Sequence, residues 1–567
     1  MTLNKLTLLG LLCVLGACRS QDDTTQVDLL IRNGTIYDGR GDAPYKGDLA
    51  VIGNRVVAIG PRLEGFAARQ ELDAAGLAVA PGFINTLSWA TDSLIYDGRA
   101  LSDIKQGVTL EIFGEGESWG PLTSDMKEEM TKQQTDVRYD IPWVSLGEFL
   151  DHLVKQGVSP NVASFVGATT VRVHELGNAD RAPSAAELLR MQEVVRQAMR
   201  EGALGVGSAL IYTPGTFADT DELIALAKAA GEYDGGYISH LRSEGDRFLE
   251  ALDELIEIAR AAHVHGEVHH LKAAGEQNWP KMQQAVAKIE EARAAGLPIS
   301  ANMYPYTAGA TGLDAAMPPW VQEGGIDAWI KRLENPQIRQ RVLKEMRTPS
   351  KEWESLYLAA GSPDRVLLIG FRTDALKPLT GKTLAEVAKL RGNSPEDTAI
   401  DLVIEDRTRI NTAYYMMSEE NVKFGLSRPW VSIDSDAAAP APEGLFLKSS
   451  PHPRAYGAFA RFLGRYVRDA KVAALPDAIR RLTRLPAENW KLRDRGCVDI
   501  GCHADIVIFD PGKVADHATF EHPHTLATGV VDVFVNGVQV LRDGEHTGAK
   551  PGAVVRGPGW VGWQKAH

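Results

Sequence analysis

A chain of 567 residues, 44% hydrophobic and 24% charged, has ordinary globular composition and enough length for one large domain and a smaller one. Its net charge of -13 is spread over interspersed acids and bases without a Lys/Arg run, which argues against a nucleic-acid partner and for a small molecule. Cysteines at only Cys13, Cys18, Cys497 and Cys502 exclude a disulfide framework.

Residues 1–18 carry one cation, Lys5, an apolar run from Leu6 to Leu15, and then Gly16-Ala17-Cys18. This reads as a secretory signal, too short to span a membrane. It resembles the bacterial lipobox, in which the Cys becomes the lipidated first residue of the mature chain. Cys18 is then expected to carry the lipid anchor, with residues 19–26 as a tether to a membrane face. That makes the protein a periplasmic lipoprotein of the bacterial cell envelope, and Arg19 in place of an Asp favours the outer membrane. An ordinary cleaved signal is the competing reading. Oligomeric state leaves no mark on the sequence.

From residue 27 to 80 short apolar–polar alternations separated by Gly turns predict antiparallel strands, and the same texture returns in residues 486–559. The two ends are expected to form one small β-sandwich. Between them, in residues 81–485, nearly continuous apolar runs alternate with helical stretches, the pattern of parallel strands covered by helices. The runs are Leu77–Ile84, Val108–Phe113, Asn161–Val166, Leu204–Leu210, Gly236–His240, Gly266–His270, Leu297–Tyr304 and Trp430–Ile433. Eight such runs predict an α/β fold, a (β/α)8 TIM barrel. The helix near Ser184–Glu201 has an apolar face of Leu188, Met191, Val194, Val195 and Ala198, with Ser184 and Glu187 placed as a capping box. The stretch at about 307–428 is too long for a barrel connection and reads as an insertion over the mouth. Cys497 and Cys502 could pair across a turn, although so short a loop strains the bond.

Barrel enzymes carry their chemistry at the C-terminal strand ends. After the second run, Gly114-Glu115-Gly116-Glu117 turns carboxylates into the mouth; either could ligate a metal, or both could be solvated acids. His240 and His270 end the fifth and sixth runs, while His269 points to the other face of its strand. Two imidazoles at matching strand ends beside a Glu loop suggest a metal site, because three N or O ligands plus water make a catalytic zinc centre. Lys272 is either a solvated loop residue or a substrate-carboxylate contact. Asp434 and Asp436 follow the eighth run, where one could act as general base or cap a helix.

Several stretches together resemble the N-acyl-D-amino-acid deacylase (D-aminoacylase) branch of the amidohydrolase superfamily: Pro81-Gly-Phe-Ile84, the glycine-rich segment 202–215, His240-Leu-Arg-Ser-Glu244, His270-Leu-Lys272, Tyr304-Pro-Tyr-Thr-Ala-Gly309, Ser435-Asp436 and His452-Pro-Arg454. The resemblance implies a zinc-holding barrel beside a β-sandwich, with His240 and His270 as metal ligands, Asp436 as the catalytic Asp, and Lys272 as a contact to the substrate carboxylate. Arg454 is a second such contact, and Tyr212, Arg242 and Tyr304 are weaker pocket candidates.

Two departures bear on the metal. Where the family has His-x-His on its first strand, this chain has Leu87 and Trp89, so the outer metal position is expected to be empty and one zinc per chain is expected. Where the family usually offers a Cys ligand, this chain has Glu115, which completes a two-His, one-carboxylate set. The implied reaction is zinc-assisted hydrolysis of a small N-acyl amino acid, with Asp436 moving the proton. A dipeptidase, a cyclic-amide hydrolase and a surface-tethered binding protein with a decayed site are the alternatives.

Overall fold

The computed structural model describes residues 24–565. The signal, Cys18 and most of the tether lie outside the described residues. The first strand begins at Thr25, so the last tether positions are already sheet.

One nine-stranded sheet is built from both chain ends. Strand Ala78–Pro81 joins them by pairing parallel to Thr25–Ile36 and antiparallel to Ile506–Phe509. Leu29, Ile31, Leu49, Val51, Ile506 and Phe534 form its apolar core. Cys497 and Cys502 are disulfide-bonded beside this sheet, against the expectation from their short spacing. Their turn is tied to Val56, which donates to the Cys502 carbonyl and accepts from Gly501. Beyond Glu545–His546 the chain runs back along the barrel, with Val555 donating to the carbonyl of Val162 and Gly557 to that of Gly202.

The barrel strands are β1 (Phe83–Asn85), β2 (Val108–Phe113), β3 (Asn161–Ser164, continued by Val166–Gly167), β4 (Gly205–Ala209), β5 (Gly236–His240), β6 (Gly266–Val268), β7 (Ile299–Met303) and β8 (Val431–Ile433). All neighbouring pairs are parallel and follow chain order, except that β8 returns to β1. That last contact is the bridge between Ser88 and Ala437, supported by Asp436 N–H to the Leu87 carbonyl at 3.0 Å. The predicted run Leu77–Ile84 is therefore two strands of different sheets. Pro81 has no N–H to continue a ladder, and Gly82 donates to the carbonyl of Asp505, just ahead of strand Ile506–Phe509, before the chain enters β1.

Helix Ala185–Arg200 has the expected capping box at Ser184 and Glu187 and buries Met191, Val195 and Ala198. The segment between β7 and β8 contains several helices and a three-stranded antiparallel sheet of Ala308–Gly312, Asn411–Tyr415 and Val366–Gly370. Asn411–Tyr415 is the central strand of that sheet, and its Tyr414 is fully buried. Its first strand lies against the barrel mouth, where Arg454 reaches the Ala310 carbonyl.

Candidate active site

Glu115 stands in a turn that only small residues allow. Gly114 and Gly116 on either side have φ of 107° and 68°, and a Cβ on Gly114 would come 2.5 Å from the Phe165 carbonyl. The turn aims the Glu115 carboxylate inward, where Oε1 lies 3.1 Å from His240 Nδ1 and 2.8 Å from His270 Nε2. The ligand-type atoms of these three buried residues all lie within 4.8 Å of one another. Glu117 lines the same cavity but is not part of the trio. His269 is buried beside Asn302, and burial pushes its imidazole down to about 3.

His270 and Asp436 both sit in left-handed backbone, with φ of 35° and 44°. Side chains with a Cβ pay for that conformation, by roughly 1–3 kcal/mol, and it persists where surrounding bonds over-determine it. Here Asn302 Oδ1 accepts the His270 N–H at 2.6 Å, and the Leu87 carbonyl accepts that of Asp436.

A second layer fixes the trio. Trp89, half-buried after β1, donates its indole N–H to Glu115 Oε2 at 3.1 Å. Glu244 Oε1 lies 3.1 Å from His270 Nδ1 and accepts from Lys272 Nζ at 2.6 Å. Lys272 Nζ is also 2.8 Å from His270 Nδ1. The other nitrogen of His240, Nε2, lies 3.6 Å from Glu244 Oε2 and has no hydrogen-bond partner among the described residues. Carboxylates behind histidines in this way orient imidazoles that hold a metal.

The electrostatics favour a cation at this point. Burial alone would raise the Glu115 carboxyl, but the charge of His270 and the bonds from His240 and His270 outweigh it and hold the group well below the usual range. Burial and Lys272 press the His270 imidazolium down, yet Glu115 and Glu244 hold it up to about 10. Two carboxylates thus converge where positive charge is stabilised.

Across the mouth, Asp436 Oδ2 is 2.8 Å from Arg454 Nη1, and Arg454 lies 4.4 Å over the Tyr304 ring. Lys272 Nζ approaches the same ring at 5.7 Å. The Tyr304 hydroxyl has no hydrogen-bond partner among the described residues. Burial raises the Asp436 carboxyl and Arg454 only partly offsets it. Asp434 is fully buried with both oxygens unpartnered among the described residues, and burial together with the charge of Asp436 keeps its carboxyl well above the usual range.

Glu115, His240, His270, Lys272, Tyr212, Tyr304, Asp436 and Arg454 all line one cavity of about 1280 Å³. Arg242 does not line it. Its guanidinium is turned away onto Glu254 at 2.9 Å and onto the carbonyls of Thr216 and Ala218, so it braces the loop after β4. Tyr212 packs its ring 5.1 Å from that of His240 and carries Arg409 at 4.9 Å on its face. Arg409, which the sequence reading missed, comes from the segment between β7 and β8, and its Nε donates to Asp314 at 2.8 Å. Glu244 and Trp89 were also given no role. The one signal for Glu244 is its place four residues after His240. Glu354 of the same segment caps this loop by accepting from the N–H groups of Glu244 and Gly245, and burial beside Glu244 pushes its carboxyl up to about 7.

Comparison with known proteins gives the chain a family. The profile described as the amidohydrolase family matches residues 150–541. Over 545 residues the chain is 32% identical to a D-aminoacylase of Alcaligenes xylosoxydans xylosoxydans, covering 94% of this chain and 99% of that protein. The solved N-acyl-D-glutamate deacylase of Bordetella bronchiseptica, complexed with zinc and a phosphonate mimic of the tetrahedral intermediate, superposes with a TM-score of 0.75 at 29% identity, covering 94% of this chain and all of that one. A solved D-aminoacylase, described as having a binuclear metal centre with one-metal activation and second-metal attenuation, superposes with a TM-score of 0.77 at 30% identity over 94% of this chain and all of its own.

Proposed function

The chain belongs to the amidohydrolase family, and we propose that it is a zinc-dependent deacylase that removes the acyl group from N-acyl-D-amino acids. The observation that carries this reading is the meeting of Glu115, His240 and His270 in the cavity that also holds Asp436 and Arg454.

The donor set fits zinc. Bonds of about 2.0–2.1 Å in a tetrahedron place ligand atoms about 3.3 Å apart, and the Glu115 oxygen already lies 3.1 and 2.8 Å from the two imidazole nitrogens. When bound, zinc supplies Lewis acidity toward the scissile carbonyl and toward water. One ion per chain is the stoichiometry the residues support. Leu87 and Trp89 offer no ligand atom, and the Trp89 indole already takes up the second oxygen of Glu115.

The chain's own groups do the rest. Asp436 accepts the proton of the attacking water on its carboxylate and returns it to the departing amine nitrogen, so no proton is left over. Lys272 and Arg454, both lying over the Tyr304 ring, are placed to hold the substrate carboxylate, which fixes the face of the amide presented to water. Tyr212 and Arg409 close the β4 side of the pocket.

The apolar run of residues 6–15 ahead of Cys18 supports export and a lipid anchor in the bacterial envelope. The disulfide between Cys497 and Cys502 accords with an oxidising compartment.

A panel of N-acetyl-D-amino acids, their L-enantiomers, dipeptides and cyclic amides, assayed with zinc-loaded protein, tests the reading. The expected result is turnover of the N-acetyl-D-amino acids at least about 100-fold above the other classes, the loss expected when a binding contact of about 3 kcal/mol is misplaced. Preferred turnover of dipeptides or cyclic amides would replace it.

A further inference from the structure

The cavity is larger than an N-acetylated amino acid needs. Its volume of about 1280 Å³ exceeds the roughly 300–1,000 Å³ of ordinary small-molecule pockets. The excess has a direction. The cationic cluster of Lys272 and Arg454 belongs to segments following β6 and β8, with Tyr304 after β7. In a ring of eight strands β2 stands opposite β6, and the connection after β2 carries a different surface.

That surface starts at the trio and carries a run of aromatic and thioether side chains, beside which Asp125, Glu128, Glu129 and Lys132 of the following helix also line the cavity. Trp89, bonded to Glu115, meets Trp119 edge-on at 6.4 Å, and Trp119 is backed at 6.0 Å by Phe149, a buried core residue. The wall continues through Tyr139 and through Met126 and Met130, which are one turn apart on helix Ser124–Gln133. That helix has no fully buried residue, and the two half-buried methionines line the cavity.

The polar atoms of the wall's three aromatic residues are already engaged. The Trp119 indole N–H donates to Tyr139 Oη at 3.1 Å, the Tyr139 hydroxyl donates to Asp92 at 2.7 Å, and the Trp89 N–H is held by Glu115. Between Trp89 and Met130 these side chains offer a ligand ring faces and thioethers, an adaptable surface suited to flexible hydrocarbon, with charged groups of helix Ser124–Gln133 alongside.

We propose that the wall from Trp89 and Trp119 to Met126 and Met130 is an acyl-chain subsite, and that the substrates are N-acyl-D-amino acids with an unbranched aliphatic acyl group longer than acetyl. This rests on the deacylase reading and specifies its substrate class. With the amino-acid carboxylate on the Lys272 and Arg454 side and the scissile carbonyl at the trio, the acyl chain is directed onto this wall.

The test is kcat/KM for one D-amino acid carrying acetyl, butanoyl, hexanoyl or octanoyl groups, all below micelle-forming concentration, with zinc-loaded protein. A methylene buried halfway is worth about a twofold gain, so octanoyl over acetyl is expected to reach roughly 60-fold. In the double variant Met126→Glu, Met130→Glu the octanoyl-to-acetyl ratio should fall by at least about tenfold, whereas Met126→Leu, Met130→Leu should retain it. A flat or falling chain-length profile with good acetyl turnover overturns the subsite and leaves the deacylase reading standing. An unchanged ratio in the Glu variant also overturns it. No turnover of any member overturns both.

Discussion

Replacing Asp436 with Asn lowers kcat on an N-acyl-D-amino acid by about 10³-fold while bound zinc stays at the wild-type level. Loss of a positioned general base costs typically 10²–10⁴-fold, and Asp436 serves both the water and the leaving amine. Asn keeps the shape of the side chain but cannot take the proton. The pH profile supplies a second readout with a definite sign. Burial raises the Asp436 carboxyl above its ordinary value, against the opposing charge of Arg454. The reaction needs the carboxylate, so activity is full above the raised pKa and is lost as pH falls through it. The acid limb of kcat/KM should therefore lie above the pH of about 3.9 at which an ordinary Asp titrates. Removing the cation in Arg454→Met should move that limb further up. Full turnover in zinc-loaded Asp436→Asn protein would remove Asp436 from the mechanism.

Glu115→Ala and His270→Ala each lose the metal. With two remaining protein ligands the site has neither the coordination number nor the charge that holds zinc, so bound zinc measured by mass spectrometry after dialysis should fall from about one per chain to below about 0.1. Glu115 carries two linked duties, because its Oε1 faces both imidazoles and its Oε2 is fixed by Trp89. Trp89→Phe, which removes only that donor, should keep the stoichiometry and weaken affinity by about 10–100-fold, the usual cost of losing an outer-shell bond. Circular dichroism guards against a folding artefact, since these residues stand at strand ends and not in the apolar layers beneath. Zinc retained in both Ala variants would place the metal elsewhere.

The sequence carried much of the barrel because its strands are short apolar runs buried on both faces. Val108–Phe113 and Gly236–His240 occupy the predicted positions to the residue. It was silent where tertiary contacts decide. Nothing local distinguishes Ala78–Pro81 from Phe83–Asn85 as members of different sheets except the Pro81-Gly82 step. Arg242 shares a motif with His240, but two-residue spacing does not keep it in the cavity. It finds Glu254 on the following helix instead. Glu244 lies in the same motif and does reach the site, because the loop after β5 folds back over it under Glu354. The approach of Trp89 to Glu115 joins residues 26 positions apart through neighbouring strands and has no periodic signature. The pairing of Cys497 with Cys502 depended on a turn pinned by Val56, a residue from the opposite end of the chain.

The most direct test of the account is the chirality of the amine released when zinc-loaded protein is incubated to completion with a racemic N-acyl amino acid. The account predicts that half of the substrate is hydrolysed, that the amino acid recovered is the D-enantiomer, and that a zinc chelator stops its release. Release of the L-enantiomer, release of both at similar rates, or hydrolysis that survives complete removal of metal would contradict it.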